Sequence, residues 1–589
     1  MWWIYFLALA SAQEELPTVE VRPQSNVLLE RVTSPVWQGP EQALLEATQI
    51  QDALLQAPGV VFTQNGGFGG RGAFYLRGSE SRHTVFLTDG LRLNDPSNTD
   101  RHYDTAFLLP ALYENVLLLQ GPSPVLYGGD ATAGVIELIP RRGKEKPETI
   151  VSAGAGSFAS YHGSLIQDWQ RGSHQGTFAL SRSQTQGFSR LSRKRFGAQE
   201  ADGAESTQIQ QASRHGWSAK LSTELWVQGV LGEAEQDGAT SDEREDETKN
   251  RQGSLSQVTR ALTSWGEVWL RTGLVSHERK LQTQVLGRET YRGETRLVQL
   301  GAEVKHGDLR SLVGVQWDGE WTRFDETHKQ NDLASLFVLE RLQINDWTLE
   351  VGGRGESHQR YGEFFAAEGT VKYQWSEAWS SYGKWARGYK TPSLYQLYAP
   401  PLFGFPLGNE DLVSETNQSF EAGLQLQSAG VIELLLFQQE FRDLIVYSNA
   451  GYENRGELRV RGVELSGVSP EHRWGQLRLS ASGLDYANYQ QSPLRRPRYL
   501  GSLQWTRTQG RVTTELGLRW LGARKDITDT GRVARLAGYE VLNAALKYAP
   551  NARDQWILRL GNVTDRTYED VWGYSVAPIN WQLQYLGRF

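Results

Sequence analysis

The first spacing in this 589-residue chain that could do chemistry is a run of glycines between residues 65 and 72. Gly67, Gly69 and Gly72 spell GxGxxG, the spacing with which a strand–turn–helix unit holds the phosphates of a dinucleotide. Such a site needs a helix to begin here, whereas residues 73–77, AFYLR, have the composition of a strand. The glycines therefore favour a loop that turns sharply or admits a ligand close to its backbone, and they argue against a dinucleotide-dependent enzyme.

Acidic residues crowd two later segments, where they suggest metal binding. Calcium takes several carboxylate oxygens from flexible loops, so two acidic loops that fold together would suit it. Because no strict ligand spacing is present, solvated loop carboxylates explain the same residues, and both alternatives stay open. The candidate calcium ligands are Glu200, Asp202, Glu205, Asp237, Asp242 and Asp246.

Other catalytic patterns are absent from the sequence. The ten histidines form no HExxH or similar ligand spacing, and no serine nucleophile elbow occurs. With no cysteine, the chain has neither thiolate metal sites nor disulfides. A net charge of −7 argues against a general nucleic-acid partner. We therefore predict a protein that is not an enzyme, requires no cofactor and binds no nucleic acid.

The elements that would position these residues are strands with one apolar face. The last ten residues, NWQLQYLGRF, alternate apolar and polar side chains, as do residues 477–482 and 512–520. A mean hydropathy of −0.50 is too polar for a helical membrane protein, whereas transmembrane barrels hide apolar residues by alternation. The 20 tryptophans suit aromatic girdles at two membrane interfaces. Any single alternating segment would equally suit a soluble β-sandwich, but the repetition favours a barrel.

The length of the alternating region sets the size of the barrel. At roughly ten residues per strand, about 440 residues give some 20 to 24 strands. We predict an all-β fold, a 22-stranded antiparallel transmembrane β-barrel over residues 147–589. A lumen that wide needs a plug, and the glycine-rich residues 42–142 form the candidate N-terminal plug domain inside it. Residues 1–12, an apolar stretch followed by small residues, are predicted to be a cleaved signal peptide.

Five segments carry a resemblance that runs nearly end to end. Residues 54–95 and 120–142 resemble the plug of TonB-dependent outer-membrane receptors, and residues 388–400, 453–466 and 561–574 resemble their barrel. Within that family the likeness is closest to the cobalamin receptors. The resemblance implies a monomeric, multi-pass importer in the outer membrane of a Gram-negative bacterium, surrounded by outer-membrane lipid and driven by the periplasmic protein TonB. The terminal Phe589 resembles the signal read by the barrel assembly machinery.

The resemblance leaves the substrate open. Cobalamin is the first expectation, a ferric siderophore or other metal chelate is the alternative, and a passive porin is less expected because a porin should lack a plug and a coupling peptide. In the family, loops of the plug face outward and touch the substrate. The candidate substrate contacts, which mix aromatic and amide groups, are Asn65, Phe68, Arg71, Asn94, Asn98, His102, Tyr103, Tyr389 and Tyr398.

Two further sites follow from the resemblance. Residues 13–41 are expected to hold the TonB box and a linker. The box, which would pair as an added strand with TonB, comprises Leu16, Pro17, Thr18, Val19, Glu20 and Val21. In the family, two plug arginines face two barrel glutamates. Arg77 matches the first arginine, and Glu415 and Glu421 match the glutamates, but the second arginine is replaced by Gln120, so one charge of this latch is missing.

Overall fold

The computed structural model describes residues 36–144, 146–198, 200–237, 246–284, 287–324, 326–401, 405–448, 450–487 and 493–589. The predicted signal peptide, the predicted TonB box and Asp242 lie outside these residues.

The N-terminal domain is a small mixed sheet with short helices. Its elements are β1 (Val36–Gly39), α1 (Glu41–Glu46), α2 (Ile50–Leu54), β2 (Val60–Gln64), β3 (Gly72–Leu76), β4 (Thr84–Thr88), β5 (Leu91–Arg92), β6 (Tyr113–Gln120), α3 (Pro124–Tyr127) and β7 (Gly134–Pro140), with 3-10 turns at Ser81–His83 and Pro110–Leu112. The sheet has the strand order β1-β6-β7-β4-β5, in which β4 and β7 run parallel, and β2 and β3 form a separate hairpin. The sheet includes Val36, because β1 pairs with β6.

The rest of the chain is built from long strands. They are β8 (Thr149–Gly156), β9 (Ser160–Arg171), β10 (His174–Thr185), β11 (Ala204–Ser218), β12 (Leu221–Glu235), β13 (Glu247–Leu262), β14 (Gly266–Thr283), β15 (Gly287–His306), β16 (Leu309–Phe324), β17 (Thr327–Ile344), β18 (Trp347–His358), β19 (Gly362–Gln374), β20 (Trp379–Lys390), β21 (Glu415–Gln427), β22 (Val431–Arg442), β23 (Ile445–Ser448), β24 (Gly451–Asn454), β25 (Leu458–Val468), β26 (Gln476–Ala487), β27 (Tyr499–Gln509), β28 (Val512–Leu521), β29 (Arg524–Ile527), β30 (Val533–Leu536), β31 (Tyr539–Tyr548), β32 (Asp554–Gly561) and β33 (Asn580–Arg588). Short helices α4 (Arg193–Phe196) and α5 (Leu394–Tyr398) lie in two of the loops.

Within the described residues, 22 of these strands form one closed antiparallel barrel, which confirms the predicted fold. The last strand, β33, pairs with the first, β8, so the sheet has no free edge. The pairs β23–β24 and β29–β30 are hairpins outside the barrel sheet. Connections at one end, such as residues 172–173 and 219–220, are short, and we call it the turn end. Those at the other, the loop end, include residues 186–203, 391–414 and 562–579.

The barrel wall is apolar on its outer face and carries both polar and apolar residues on its inner face. In β22, Ile432, Leu434 and Leu436 point outward with 41–55% of their surface exposed, while Leu435 and Phe437 alternate with them and are buried. This period of two is the pattern that the sequence predicts for a lipid-facing strand. Among the described residues, no helix is both long enough and apolar enough to cross a membrane.

Exposed tryptophans mark the turn end of the barrel. They lie at or beside its short connections, where an amphipathic ring suits the boundary between lipid and water. They are Trp217, Trp265, Trp347, Trp375, Trp379, Trp474 and Trp556. Their position agrees with the predicted aromatic girdle at this end.

Candidate functional site

The plug domain presents two loops toward the loop end of the barrel. The first apical loop, residues 65–71, joins β2 to β3 and contacts the 186–203 connection through Arg190. The second apical loop, residues 93–112, joins β5 to β6 and contacts the upper part of β14 through the ion pair between Asp95 and Arg279, 3.1 Å long. These two loops are the parts of the plug that contact the loop end of the barrel.

The glycines of the first apical loop are required by close packing. A side-chain carbon at Gly69 would lie 2.5 Å from the Cβ atom of Ala204, and the residue has a φ of +80°. The loop turns on itself through a hydrogen bond from the Asn65 amide to the Arg71 carbonyl, 3.2 Å long. Asn65 and Phe68 are half-buried and Arg71 is exposed, so all three remain at the surface of the plug.

A charged cluster links the two apical loops. The Arg71 guanidinium donates to His102, with Nε 3.4 Å from Nε2, and to the Asn98 side-chain oxygen at 3.4 Å. Asp100 lies 2.7 Å from Nδ1 of His102. Burial tends to raise the pKa of Asp100, but His102 and Arg71 outweigh it and hold that pKa well below its usual range. Arg71 is therefore an exposed cation whose orientation is fixed by neighbours from the second loop.

Two other predicted substrate contacts, Asn94 and Tyr103, form hydrogen bonds inside the protein instead. The Asn94 side chain is only 6% exposed and bonds the Phe86 amide and the carbonyls of Thr84 and Arg101. Tyr103 is also 6% exposed, and its hydroxyl donates to Gln252 on the barrel wall. Both therefore shape the second apical loop from below and do not line its open face.

The two predicted barrel tyrosines lie in different environments. Tyr389 is buried, stacks on Phe364 with ring centroids 4.1 Å apart, and bonds the Glu356 carboxylate. Tyr398 is half-buried in α5, where the Lys329 ammonium lies 4.0 Å from its ring centroid. Only Tyr398 is placed to meet a ligand at the loop end.

Described residues of connection 391–414 contact the second apical loop. Its helix α5 is capped by Ser393, whose hydroxyl accepts a bond from the Gln396 amide and donates to the Thr99 carbonyl of the plug. Below it, Arg101 of the plug donates to the Thr391 carbonyl at 2.6 Å and to both carboxylate oxygens of Glu320 at 3.1 Å. The sequence gives no signal for Arg101, because its partners lie on distant strands.

Most of the acidic residues predicted as calcium ligands take part in separate hydrogen bonds or ion pairs. Asp202 accepts from the Arg190 amide at 2.6 Å, and Asp237 accepts from the Leu191 amide at 2.9 Å. Glu205 pairs with Arg182, while Asp246 accepts from the Gln284 amide. Glu200 is half-buried in the same connection as Asp202. Across the part of the chain that the structure describes, no three His, Cys, Asp or Glu side chains are arranged to hold a metal ion.

The predicted latch is present in altered form. Arg77, on the plug, lies 3.2 Å from Glu421 and 3.0 Å from Glu464, and neither its side chain nor that of Glu421 is exposed to solvent. Glu464 was not among the predicted partners. Its signal in the sequence is an acid at an inward-pointing position of the segment RVRGVELS.

Glu415 belongs to a second group of ion pairs between the plug and the barrel wall. It accepts from Arg82 at 2.8 Å and lies 2.7 Å from the His83 imidazole, both on the plug. Burial lowers the pKa of His83, although Glu415 acts in the opposite direction. Gln120, which stands where the family has its second arginine, is buried and donates to the Pro58 carbonyl within the plug.

Two family models match the chain. Residues 152–564 match the model described as TonB dependent receptor-like, beta-barrel. Residues 30–135 match the TonB-dependent Receptor Plug Domain. The first match alone covers more than half of the chain.

Solved structures of low sequence identity share the fold. The siderophore receptor PirA from Acinetobacter baumannii is 15% identical, with a TM-score of 0.82, over 94% of this chain and 98% of that one. A mutant form of the ferric enterobactin receptor PfeA from Pseudomonas aeruginosa is 14% identical, with a TM-score of 0.80 over 94% and 98%. The ferric-catecholate import receptor Fiu from E. coli K12 is 16% identical, with a TM-score of 0.78 over 94% and 97%.

Proposed function

The chain belongs to the TonB-dependent receptors of the outer membrane, and on that premise we propose that it actively imports a large metal chelate into the periplasm. The observation that carries this proposal is a barrel lumen filled by a plug that is tied to the wall by buried ion pairs, such as Arg77 with Glu421 and Glu464. A passive porin would keep an open lumen. Transport through this chain therefore requires that the plug be moved by an energy source.

TonB is the proposed energy source, through a box at residues 16–21. An extended peptide of this kind binds by adding a strand to its partner. Pro17 has no amide hydrogen, so pairing would run from Thr18 to Val21. Substrate binding at the apical loops can be signalled to the periplasm only if the substrate has different affinities for two states of the plug.

Among metal chelates, a ferric siderophore is the first candidate. Support comes from the three receptors above, whose names give siderophore, ferric enterobactin and ferric catecholate as what they bind or import. Arg71 suits this class, because an exposed guanidinium is a good partner for an anionic chelate.

Cobalamin is the second candidate, favoured by a different observation. The sequence segments 54–95 and 388–400 resemble cobalamin receptors, and most of the predicted substrate contacts carry no charge. Asn65, Phe68 and Tyr398 offer amide and aromatic groups that suit a corrin with amide arms, and Arg71 is the one arginine among the predicted contacts.

The further partners are also proposals. We expect a monomer in the outer-membrane lipid, inserted by the barrel assembly machinery, which would read the strand that ends at Phe589. We propose that no cofactor is required for transport, and that calcium is needed only if the carboxylates of the 186–203 and 236–246 connections gather around it.

Calorimetric titration of the detergent-solubilised protein tests the substrate. Ferric enterobactin and cyanocobalamin would be titrated separately, each with and without calcium. Heat with ferric enterobactin alone supports the siderophore assignment, whereas tight binding of cyanocobalamin alone reverses the order of the two candidates. Uptake of the bound chelate by cells with and without TonB then tests active import, and equal uptake in both would contradict it.

A further inference from the structure

Arg190 is a fully buried arginine that comes from a surface loop. It lies in connection 186–203, and only 1% of its surface is exposed. Its guanidinium enters the first apical loop of the plug and donates to three backbone carbonyls. Nη1 lies 3.3 Å from the Asn65 oxygen and 3.0 Å from the Gly66 oxygen, and Nη2 lies 2.9 Å from the Phe68 oxygen.

The glycines of this loop make room for the arginine. A side-chain carbon at Gly66 would lie 2.5 Å from the Cβ atom of Arg190, and one at Gly70 would lie 2.7 Å from its Nη1 atom. Gly66 also has a φ of +72°, which favours glycine. The glycine run, which by spacing alone resembles a phosphate-binding motif, is therefore shaped around a cation and presents carbonyl oxygens to it.

The backbone around Arg190 is held from its own connection and from two others. Its amide donates to Asp202 of the same connection at 2.6 Å, and the next amide, of Leu191, donates to Asp237, two residues after β12. The Arg190 carbonyl accepts from the Ser575 amide of connection 562–579 at 2.7 Å. Arg190 and Leu191 together thus join the plug to three connections at the loop end.

Burial and nearby carboxylates act on the Arg190 guanidinium in opposite directions. Burial lowers the pKa of Arg190, and the carboxylates of Asp202 and Asp237 oppose that change. An arginine stays protonated under such conditions because its ordinary pKa is far above neutrality. Two of the six acids that the sequence suggests for calcium are therefore already used to place a cation that belongs to the chain.

We propose that Arg190 is the positioning residue of the substrate face, a built-in cation that fixes the first apical loop and with it the exposed Arg71 and the half-buried Phe68. This inference rests on the proposed function only in taking Phe68 and Arg71 as substrate contacts. Arg190 thus supplies, from the chain itself, a positive charge at the loops where the sequence suggests calcium as one alternative. Lysine cannot replace it, because one ammonium lacks the planar fork that reaches three carbonyls from two nitrogens.

Hydrogen exchange of the ligand-free protein tests the proposal. The reporters are the amides of Asn65 and Gly70, which bond the carbonyls of Arg71 and Gly67 inside the loop. Arg190→Ala and Arg190→Lys should each speed exchange in residues 65–71 at least tenfold and leave β6 and β7 unchanged. Added methylguanidinium should restore slow exchange to Arg190→Ala and not to Arg190→Lys. The matched control, Arg193→Ala, removes an exposed arginine from the same connection.

Three outcomes would overturn the proposal. Unchanged exchange in Arg190→Ala would show that the loop orders without the guanidinium. Faster exchange in the wild-type protein on addition of EDTA would assign the ordering to a metal. Acceleration throughout the plug sheet would make Arg190 a general stability residue. Gly66→Ala approaches the same contact from the plug and should reproduce the local acceleration. The exchange experiment uses the protein without any metal chelate. Its results therefore stand even if neither ferric enterobactin nor cyanocobalamin binds.

Discussion

Nη1 of Arg77 lies 3.2 Å from the Glu421 carboxylate, and both side chains are completely shielded from solvent. The same guanidinium reaches Glu464 on β25, so it bridges the plug and two separate strands of the barrel wall. Glu415 and Glu421 lie on one strand six residues apart, which is about 20 Å. One arginine therefore cannot contact both, and this distance explains why Glu464 takes the place that the sequence suggested for Glu415.

Removal of Arg77 should loosen the plug. Arg77→Ala leaves Glu421 and Glu464 buried without this cation, and loss of one partner from a buried ion pair costs about 3–5 kcal/mol. We expect passive conductance in planar bilayers to rise and the plug to unfold at a lower temperature. The matched control is Arg182→Ala, which breaks an exposed pair with Glu205 on the barrel. Wild-type conductance in Arg77→Ala would show that the latch does not hold the plug.

Docking of the plug should weaken on mild acidification because of His83. Burial and Arg82 lower the pKa of His83, whereas Glu415 and Glu80 raise it, and the net shift is downward. A histidine with a lowered folded-state pKa gives stability that is present above its unfolded pKa of about 6.5 and is lost as pH falls toward the folded pKa. The loss is at most about 1.4 kcal/mol per pH unit for one proton.

The measurement for His83 is limited proteolysis of the plug at pH 7.5 and pH 5.5. His83→Gln keeps a polar group beside Glu415 but removes the titration, so its cleavage rate should change less between the two pH values. Because the other nine histidines are common to both proteins, the difference isolates His83. An equal pH response in both proteins would exclude this residue as the cause.

The barrel could be predicted from the sequence because each strand carries its own signal. In β33, outward-facing Trp581 and Leu583 alternate with Gln582 and Gln584, and this apolar–polar period needs no knowledge of distant residues. Contacts between plug and wall carry no such local signal. Arg101 meets Glu320, and Arg190 meets Gly66, only after the barrel has closed, so their partners depend on strand register across the whole sheet.

The same contrast between local signals and long-range contacts applies to the residues of the candidate site. The exposure of Arg71 was predictable because Arg71 is a cation in a glycine-rich loop. The inward roles of Asn94 and Tyr103 were not, because a loop residue that supports the backbone has the same composition as one that binds a ligand.

We predict that the ion pairs of Glu46 are the first contacts between plug and barrel that TonB must break. In α1, close to the N-terminus of the described plug, its carboxylate lies 2.8 Å from both Lys547 and Arg559 on the barrel wall and is only 4% exposed. Glu46→Gln should weaken this tie by about 1.5–3 kcal/mol, the typical value of a charge-assisted hydrogen bond. Force spectroscopy with the N-terminus pulled should show plug release at lower force.

Glu41→Gln is the matched control for that experiment. Glu41 belongs to the same helix, but its partners Arg141 and Lys144 lie at the end of the plug and in the segment that follows it. Its loss should change the force less than the loss of Glu46. Equal forces for the two variants would mean that the contact with the barrel wall does not set the first barrier.

Gln120→Arg should strengthen the plug by restoring a second cation beside the latch. The next residue, Gly121, packs so closely on the wall that a side-chain carbon there would overlap the Glu421 carboxylate, which places position 120 beside the two acids that share Arg77. We expect lower passive conductance and partial rescue of Arg77→Ala in the double variant.

The control is Gln120→Met, whose side chain is similar in volume to that of arginine but carries no charge. It loses the bond to the Pro58 carbonyl and should destabilise the plug. Because Gln120 is buried, a larger side chain carries a packing cost of about 1–3 kcal/mol. A plug that unfolds more easily in Gln120→Arg than in Gln120→Met would show that this cost exceeds the electrostatic gain.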